Sequence, residues 1–364
     1  MGIAGAPWFL PVAGLVGGIV MGFAARRYHF CTMGALERHW YAADSEGLRT
    51  WVLAAASALI ATQTMMLTGM IDIQASFYLT PVLGLGGTII GGVAFGFGMA
   101  LVGTCGFGAL VRTGGGSLRA LVVLLVLGLS ALAAQRGMSG HMRIALEDVT
   151  TINFAPATDQ SFGGMLSFWS GVDLHLPVAL AAALALLYWI FRDAAYRKSY
   201  GRIGAGIVIG LVVAFGWLVT SLAAQNAFRP VQIESASFVA PVGETIMAMT
   251  VVTGIWPDYG VGLVLGVVIG AAACAFWRDD MRWEACDDAR ELGRHLVGGV
   301  LMGTGGIFAL GCTIGQGVSA VSVLAISAPI AVASMMFGAR MGLSYLIEGS
   351  PFSVFRNHGH DPAE

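Results

Sequence analysis

The chain has 364 residues, of which 57% are hydrophobic and only 11% are charged, and its formal net charge at pH 7 is -2. This composition is typical of an integral membrane protein surrounded by lipid, and the small net charge gives no reason to expect nucleic acid as a partner. No long Pro-, Ser- or charge-rich linker separates a soluble domain. We therefore expect one transmembrane domain over residues 1–364.

Apolar runs of roughly 20 residues, long enough to cross a bilayer as helices, recur along the chain. They lie near residues 8–25, 50–70, 82–102, 119–136, 176–191, 203–223, 257–277, 295–311 and 325–347. Shorter apolar segments near 31–40, 105–112, 241–252 and 312–320 predict half-helices that dip into the protein, because non-helical backbone at membrane depth must be buried or line a cavity. The pattern predicts an all-α polytopic membrane protein with about nine transmembrane helices and four re-entrant half-helices.

Basic residues orient these helices, since Lys and Arg favour cytoplasmic loops. With an external N-terminus and nine crossings, fifteen of the 19 Lys and Arg residues fall on the inside and three on the outside. We therefore predict an external N-terminus and a cytoplasmic C-terminus. Arg340 lies inside the last apolar run, where a charge costs about 2.5–3.5 kcal/mol unless it faces protein or water. It either attracts an anion or pairs with a helix C-terminus or the inner interface.

The glycine-rich segments repeat. Sliding the sequence by 207 residues superposes Cys105 on Cys312. The glycines around the two thiols also match, namely Gly96 with Gly303, Gly98 with Gly305, and Gly108 with Gly315. The copies lie five crossings apart and therefore face opposite ways. This predicts an inverted repeat of residues 1–136 and 176–347, separated by an external loop at about 137–175, which is an architecture common among transporters.

A shift of 74 residues finds a third copy, in which Cys31 takes the place of the thiol. The expected fourth copy keeps the glycine spacing near residues 206–210 and has Val219 where the thiol would be. Glycines at every fourth position are best explained by close helix packing. Cys274 and Cys286 fall outside the repeat, and we interpret them as ordinary small side chains.

Each repeated thiol is expected near the N-terminus of a half-helix, where unpaired N–H groups and the helix dipole favour an anion. A thiol in place of Ser or Arg suggests a soft, sulfur-like partner, and a neutral S–H is a weak donor. Weak sites in series allow an ion to enter and to leave. The candidate pathway residues are Cys31, Cys105 and Cys312, with Thr104, Gly106, Gly311, Thr313 and Gln316 beside them and Glu37 and Arg340 as weaker candidates.

These motifs, FCTMGA with Cys31, GTCGFG with Cys105 and GCTIGQG with Cys312, resemble those of the YeeE/YedE sulfur-transport family. The resemblance covers nearly the whole chain. It implies an hourglass shape with a narrow waist, three pathway cysteines, and uptake of thiosulfate or a related sulfur anion across the bacterial inner membrane. It also implies delivery to a cytosolic TusA- or rhodanese-type sulfur acceptor. The chain departs from the family at Phe107, where a proline is frequent.

Three alternatives stay open from the sequence. The pore could carry a selenium species, or it could pass neutral sulfide with the thiols as mere packing. The chain could also be a membrane thiol enzyme that forms a persulfide on Cys105 or Cys312, but no His or Lys lies near either thiol in the sequence to act as its base. We expect no enzyme activity, no metal and no cofactor.

Overall fold

The computed structural model describes residues 6–154, 159–227, 230–251, 256–285 and 288–350. Helices dominate these residues. In chain order they are α1 (Phe9–Arg27), α2 (Thr32–Tyr41), α3 (Glu46–Leu67), α4 (Leu85–Val102), α5 (Gly106–Gly114), α6 (Leu118–Arg136), α7 (Met138–Thr150), α8 (Phe162–Ser170), α9 (His175–Phe191), α10 (Tyr200–Asn226), α11 (Val239–Thr250), α12 (Tyr259–Trp277), α13 (Ala289–Phe308) and α14 (Ser327–Glu348). The predicted all-α, multi-pass membrane architecture is confirmed.

Seven stretches of the described chain are long and apolar enough to cross a membrane, and they contain α1, α3, α4, α6, α10, α12 and α14. The two other predicted crossings are weaker. Helix α9 is apolar but has only 17 residues. Helix α13 carries Arg290, Glu291 and Arg294 in its first turns, which dilute its hydropathy. The total of nine crossings therefore stays a prediction for these two helices.

The segment expected as a long outer loop contains regular structure that the sequence analysis did not predict. Helices α7 and α8 lie within it, and between them runs a short strand, β2 (Thr151–Asn153). This strand pairs with β1 (Val82–Gly84) in an antiparallel arrangement, in which Leu83 lies opposite Ile152. Strand β1 directly precedes α4. The segment is thereby tied to the start of a predicted transmembrane helix.

The long helices pair reciprocally. Helix α1 packs against α12 while α3 packs against α10, and α4 packs against α14 while α6 packs against α13. Helices of different pairs also meet, since α1 contacts α10 and α4 contacts α13. Each end of the chain thus packs on helices from its other half. Two halves that interlock would pair their helices in this way. The division of the chain into inverted repeats nevertheless stays a prediction.

Glycines make these pairings close, as predicted. A Cβ at Gly18 would overlap the Leu263 carbonyl oxygen, and a Cβ at Gly266 would overlap the carbonyl oxygen of Leu15. The same is true of Gly22, Gly96 and Gly303, which face the carbonyl oxygens of Val267, Met335 and Leu127. Small residues let helix backbones approach closely in lipid, and these positions leave no room for a side chain.

Short helices lie where the four half-helices were expected, and their re-entrant character stays a prediction. They are α2, α5, α11 and a short helical segment at 313–322, whose centre, Gly315–Ala320, is a π-helix. One prediction about them is wrong. Val219 is a buried residue inside α10, whereas Phe238 directly precedes α11 and so occupies the place that a thiol takes before the other three half-helices. Residues between α10 and α11 lengthen this copy, and the glycine spacing could not reveal them.

Candidate functional site

Each repeated thiol lies immediately before a half-helix, as the sequence predicts. Cys31 and Cys105 precede α2 and α5 with extended backbones, at φ -145° and -87°. Cys312 precedes the segment at 313–322. Their carbonyl oxygens accept the first helical hydrogen bonds, at 3.0, 2.8 and 2.8 Å, from Ala35, Ala109 and Gln316 respectively. The three cysteines are therefore N-cap residues.

Backbone N–H groups of the half-helices point at two of the thiols. The N–H of Gly108 donates to the Cys105 sulfur at 3.4 Å, and the N–H of Gly315 donates to the Cys312 sulfur at 3.4 Å. In both cases the donor is three residues after the thiol, which is the usual N-cap geometry. The positive ends of these half-helices are thus aimed at sulfur.

Threonine hydroxyls connect the three half-helix starts. The Cys31 sulfur lies 3.9 Å from the Thr104 hydroxyl, and the Cys105 sulfur lies 3.9 Å from the Thr32 hydroxyl. The Thr32 hydroxyl in turn donates to that of Thr313 at 3.4 Å, and Thr313 directly follows the third thiol. These contacts link the three half-helix starts into one polar chain, in which Cys31 and Cys105 contact threonine hydroxyls and Cys312 is represented by its neighbour Thr313. The sequence analysis included Thr104 and Thr313 and missed Thr32, although the Cys-Thr pair recurs in FCTMGA and GCTIGQG.

Three phenylalanines fill the space between the half-helix starts. The ring of Phe107 lies 6.3 Å from that of Phe30 in an edge-on arrangement, and 4.9 Å from that of Phe238 in a tilted one. All three side chains are buried. Phe107 is the central member of this cluster, which we call the aromatic waist.

A cavity of about 840 Å³ leads to one side of this polar chain. Cys31, Thr104 and Gly108 lie in its lining, and we call it the vestibule. Its charged lining comprises Arg26, Arg38, Arg112 and Arg282 together with Glu37, Asp280 and Glu284. Cys31 is half-buried, whereas Cys105 and Cys312 are 1% and 0% exposed. The vestibule thus reaches the first thiol and stops before the other two.

Several arginines of the vestibule are held by protein groups. Arg26 donates to the Asp280 backbone oxygen at 2.8 Å and lies 3.3 Å from its carboxylate. Arg112 donates to the Gly103 carbonyl at 3.0 Å. These contacts fix two of the four guanidinium groups in the lining, which also contains three carboxylates.

The remaining predicted site residues differ in their surroundings. Gln316 is fully buried and donates to the Ala309 carbonyl at 2.7 Å, which ties its half-helix to the end of α13. Gly311 has a φ of +154°, a conformation that favours glycine in the turn before Cys312. Gly106 is buried, and a Cβ there would make only an ordinary contact with Leu127.

Two weaker candidates are exposed residues. Glu37 is exposed in the vestibule lining. Arg340 is exposed on α14, where its guanidinium lies 5.4 Å from the ring centroid of Trp40. A cation over an indole ring is a stabilising contact, and it accounts for this arginine without the pathway.

The other two cysteines were expected to be ordinary small side chains. Cys274 is buried on α12 and free, and Cys286 lies outside the described residues. Within the part of the chain that the structure describes, no group of three or more His, Cys, Asp or Glu side chains could hold a metal ion.

Comparisons with known proteins identify the family of the chain. A family described as "Sulphur transport" matches residues 27–341, which is most of the chain. The chain belongs to this sulphur transport family. It is therefore a multi-pass membrane transporter for a sulfur compound and not an enzyme.

Two relatives resemble it over nearly their whole length. One is the thiosulfate transporter TsuA of Escherichia coli (strain K12), 23% identical over 340 residues, which are 90% of this chain and 92% of the relative. The other is the thiosulfate transporter TsuA of Spirochaeta thermophila, 24% identical over 335 residues, which are 89% of this chain and 96% of the relative.

Proposed function

We propose that the protein takes up thiosulfate across the bacterial inner membrane, with its N-terminus outside and its C-terminus in the cytoplasm. The observation that carries the proposal is that three half-helices, each preceded by a thiol, meet at their N-terminal ends through contacts of 3.4–3.9 Å that involve Cys31, Cys105 and the hydroxyls of three threonines. The two TsuA relatives, both named thiosulfate transporters, support the choice of substrate.

The donors along this path suit a soft anion. Thiols, hydroxyls and backbone N–H groups all offer protons and carry no full positive charge that would trap an ion. The path we propose runs from Cys312 to Cys105 and then to Cys31, because only Cys31 borders the vestibule. Since a neutral hydrogen bond contributes about 1 kcal/mol, the anion can exchange one donor for the next, and no single site retains it.

The aromatic waist must move for the anion to pass. The rings of Phe107 and Phe238 are in contact, with centroids 4.9 Å apart, and both side chains are buried. Because only packing holds these rings in place, a change of side-chain rotamer can open the waist. The change costs the van der Waals contact between the rings. The closed waist explains how a path for anions avoids leaking smaller ions.

The vestibule is the proposed exit. Its arginines lie on the side that the positive-inside rule assigns to the cytoplasm. An anion released from Cys31 enters a space of about 840 Å³, wide enough for a segment of a soluble protein to enter. We propose that a cytosolic TusA- or rhodanese-type acceptor collects the sulfur there.

The test is uptake of radiolabelled thiosulfate by cells that lack their own importers and express this protein. We expect accumulation that a tenfold excess of sulfate barely reduces, because sulfate has no terminal sulfur. Cys105→Ala and Cys312→Ala, at equal membrane expression, should each lower the rate about fivefold for a lost donor. Equal inhibition by sulfate, or preferred uptake of a selenium oxyanion, would contradict the proposed substrate.

A further inference from the structure

Tyr78 is a buried tyrosine that the repeat pattern does not include. It lies in the connection between α3 and β1, and its side chain is 2% exposed. Its ring stands edge-on to that of Trp217, with centroids 6.2 Å apart, and the Trp217 indole donates to the Ser322 hydroxyl at 3.0 Å. The position of the Tyr78 ring is therefore fixed by an anchored neighbour.

The Tyr78 hydroxyl reaches the turn that contains Cys312. A Cβ built at Gly315 would lie 2.9 Å from this hydroxyl, and a Cβ at Gly311 would lie 3.2 Å from it. These glycines flank the thiol, and a side chain at either position would crowd the Tyr78 hydroxyl. The hydroxyl is thus directed at the half-helix start.

The same hydroxyl is buried without a hydrogen-bond partner of good geometry. Buried hydroxyls are normally paired, because leaving one unpaired costs free energy. Its polar neighbour is Ser237, whose hydroxyl would also lie 2.9 Å from a Cβ at Gly315. Because it lies beside the start of the Cys312 half-helix, this hydroxyl is available to an acceptor that arrives there.

Other donors converge on the same place. The backbone N–H of Gly315 donates to the Cys312 sulfur at 3.4 Å, and the Ser237 hydroxyl lies beside the same glycine. The Tyr78 hydroxyl adds a further donor beside the same half-helix start.

We propose that the Tyr78 hydroxyl donates a hydrogen bond to a sulfonate oxygen of thiosulfate while the Cys312 thiol faces its terminal sulfur. This assignment rests on the proposed function, and it adds a means of selecting the substrate. A sulfur anion without oxygen atoms, such as hydrosulfide, gains nothing from Tyr78. The thiol thus contacts the terminal sulfur of the substrate, and the phenol donates to its sulfonate oxygens.

The test replaces the phenol by the same ring without its hydroxyl. In Tyr78→Phe we expect the half-saturating thiosulfate concentration to rise about fivefold, which is the effect of one lost neutral hydrogen bond. Uptake of hydrosulfide relative to thiosulfate should rise by the same factor. The matched control is Tyr196→Phe, which removes the hydroxyl of another fully buried tyrosine that packs near Leu53, away from the thiols, and should change neither quantity.

A second measurement reports on the site directly. In a variant that retains Cys312 as its one cysteine, thiosulfate should protect that thiol from alkylation, and Tyr78→Phe should raise the protecting concentration about fivefold. If Tyr78→Phe does not fold, 3-fluorotyrosine in place of Tyr78 strengthens the donor without steric change and should lower that concentration. Unchanged values in the folded variants would overturn the role of Tyr78, whereas absence of thiosulfate uptake by the unaltered protein would overturn the proposed function itself.

Discussion

Gly108→Ala should reduce transport without reducing stability, because the added methyl group would meet one hydroxyl of the proposed path. A Cβ at residue 108 would overlap the Thr104 hydroxyl, while it would lie 3.6 Å from the Thr104 Cβ and 3.7 Å from the Cys31 sulfur, which are ordinary contacts. Rotation of the Thr104 side chain relieves the overlap. That rotation takes the hydroxyl away from the thiol 3.9 Å distant.

The two effects on stability nearly cancel. Alanine in place of glycine inside a helix stabilises by about 0.5–1 kcal/mol, and an unfavourable threonine rotamer costs about 0.5–1.5 kcal/mol. Transport loses one neutral contact worth about 1 kcal/mol, which corresponds to about a fivefold lower rate. Thr104→Val removes the same hydroxyl with little change of volume and should lower the rate equally.

The decisive variant combines the two changes. Because both remove the same hydroxyl from Cys31, the double variant should also transport about fivefold more slowly, whereas independent effects would multiply to about 25-fold. The assay is the initial rate of thiosulfate uptake at equal membrane expression, with thermal stability measured in detergent. Gly204→Ala is the control, since a Cβ there meets nothing within 4 Å. A 25-fold loss, or an unchanged rate in Gly108→Ala, would refute this account of the Thr104 hydroxyl.

Two further predictions concern the cysteines. In single-cysteine variants in inside-out vesicles, an impermeant thiol reagent should modify half-buried Cys31 at least tenfold faster than buried Cys105. In intact cells the same reagent should leave Cys31 unmodified, because we place this thiol on the cytoplasmic side. Rapid labelling of Cys31 in intact cells would contradict the proposed orientation. Cys274→Ala and Cys286→Ala should each retain near-normal uptake, because neither thiol belongs to the repeat; loss of uptake at normal expression would show that the repeat does not identify the functional thiols.

The half-helices could be predicted because their signal is local. In three copies a thiol follows a long apolar run and a glycine-rich turn, and the structure begins α2, α5 and the segment at 313–322 directly after these thiols. Helix packing could also be predicted, because glycines at every fourth position have few other uses in lipid. Periodicity and composition carry this information without any knowledge of the tertiary contacts.

What the sequence could not reveal depends on contacts between distant segments. Phe238 replaces the thiol of the fourth copy only because residues inserted after α10 shift the register, which glycine spacing does not record. Tyr78 comes from a connection outside the repeat and reaches Cys312 across more than two hundred residues of sequence. Helices α7 and α8 have no long apolar run, so they were not predicted within the outer segment.

The reciprocal pairing of the helices also constrains how the protein is made. Helices α1 and α4 leave the ribosome early, yet their partners, α12 and α14, are synthesised last. The early helices can remain in the membrane before their partners are made, because each helix satisfies its own backbone hydrogen bonds. Their glycine faces, however, find their close neighbours only once the chain is nearly finished. Assembly is therefore a late and concerted event in biosynthesis, and the two halves should not mature as separate units.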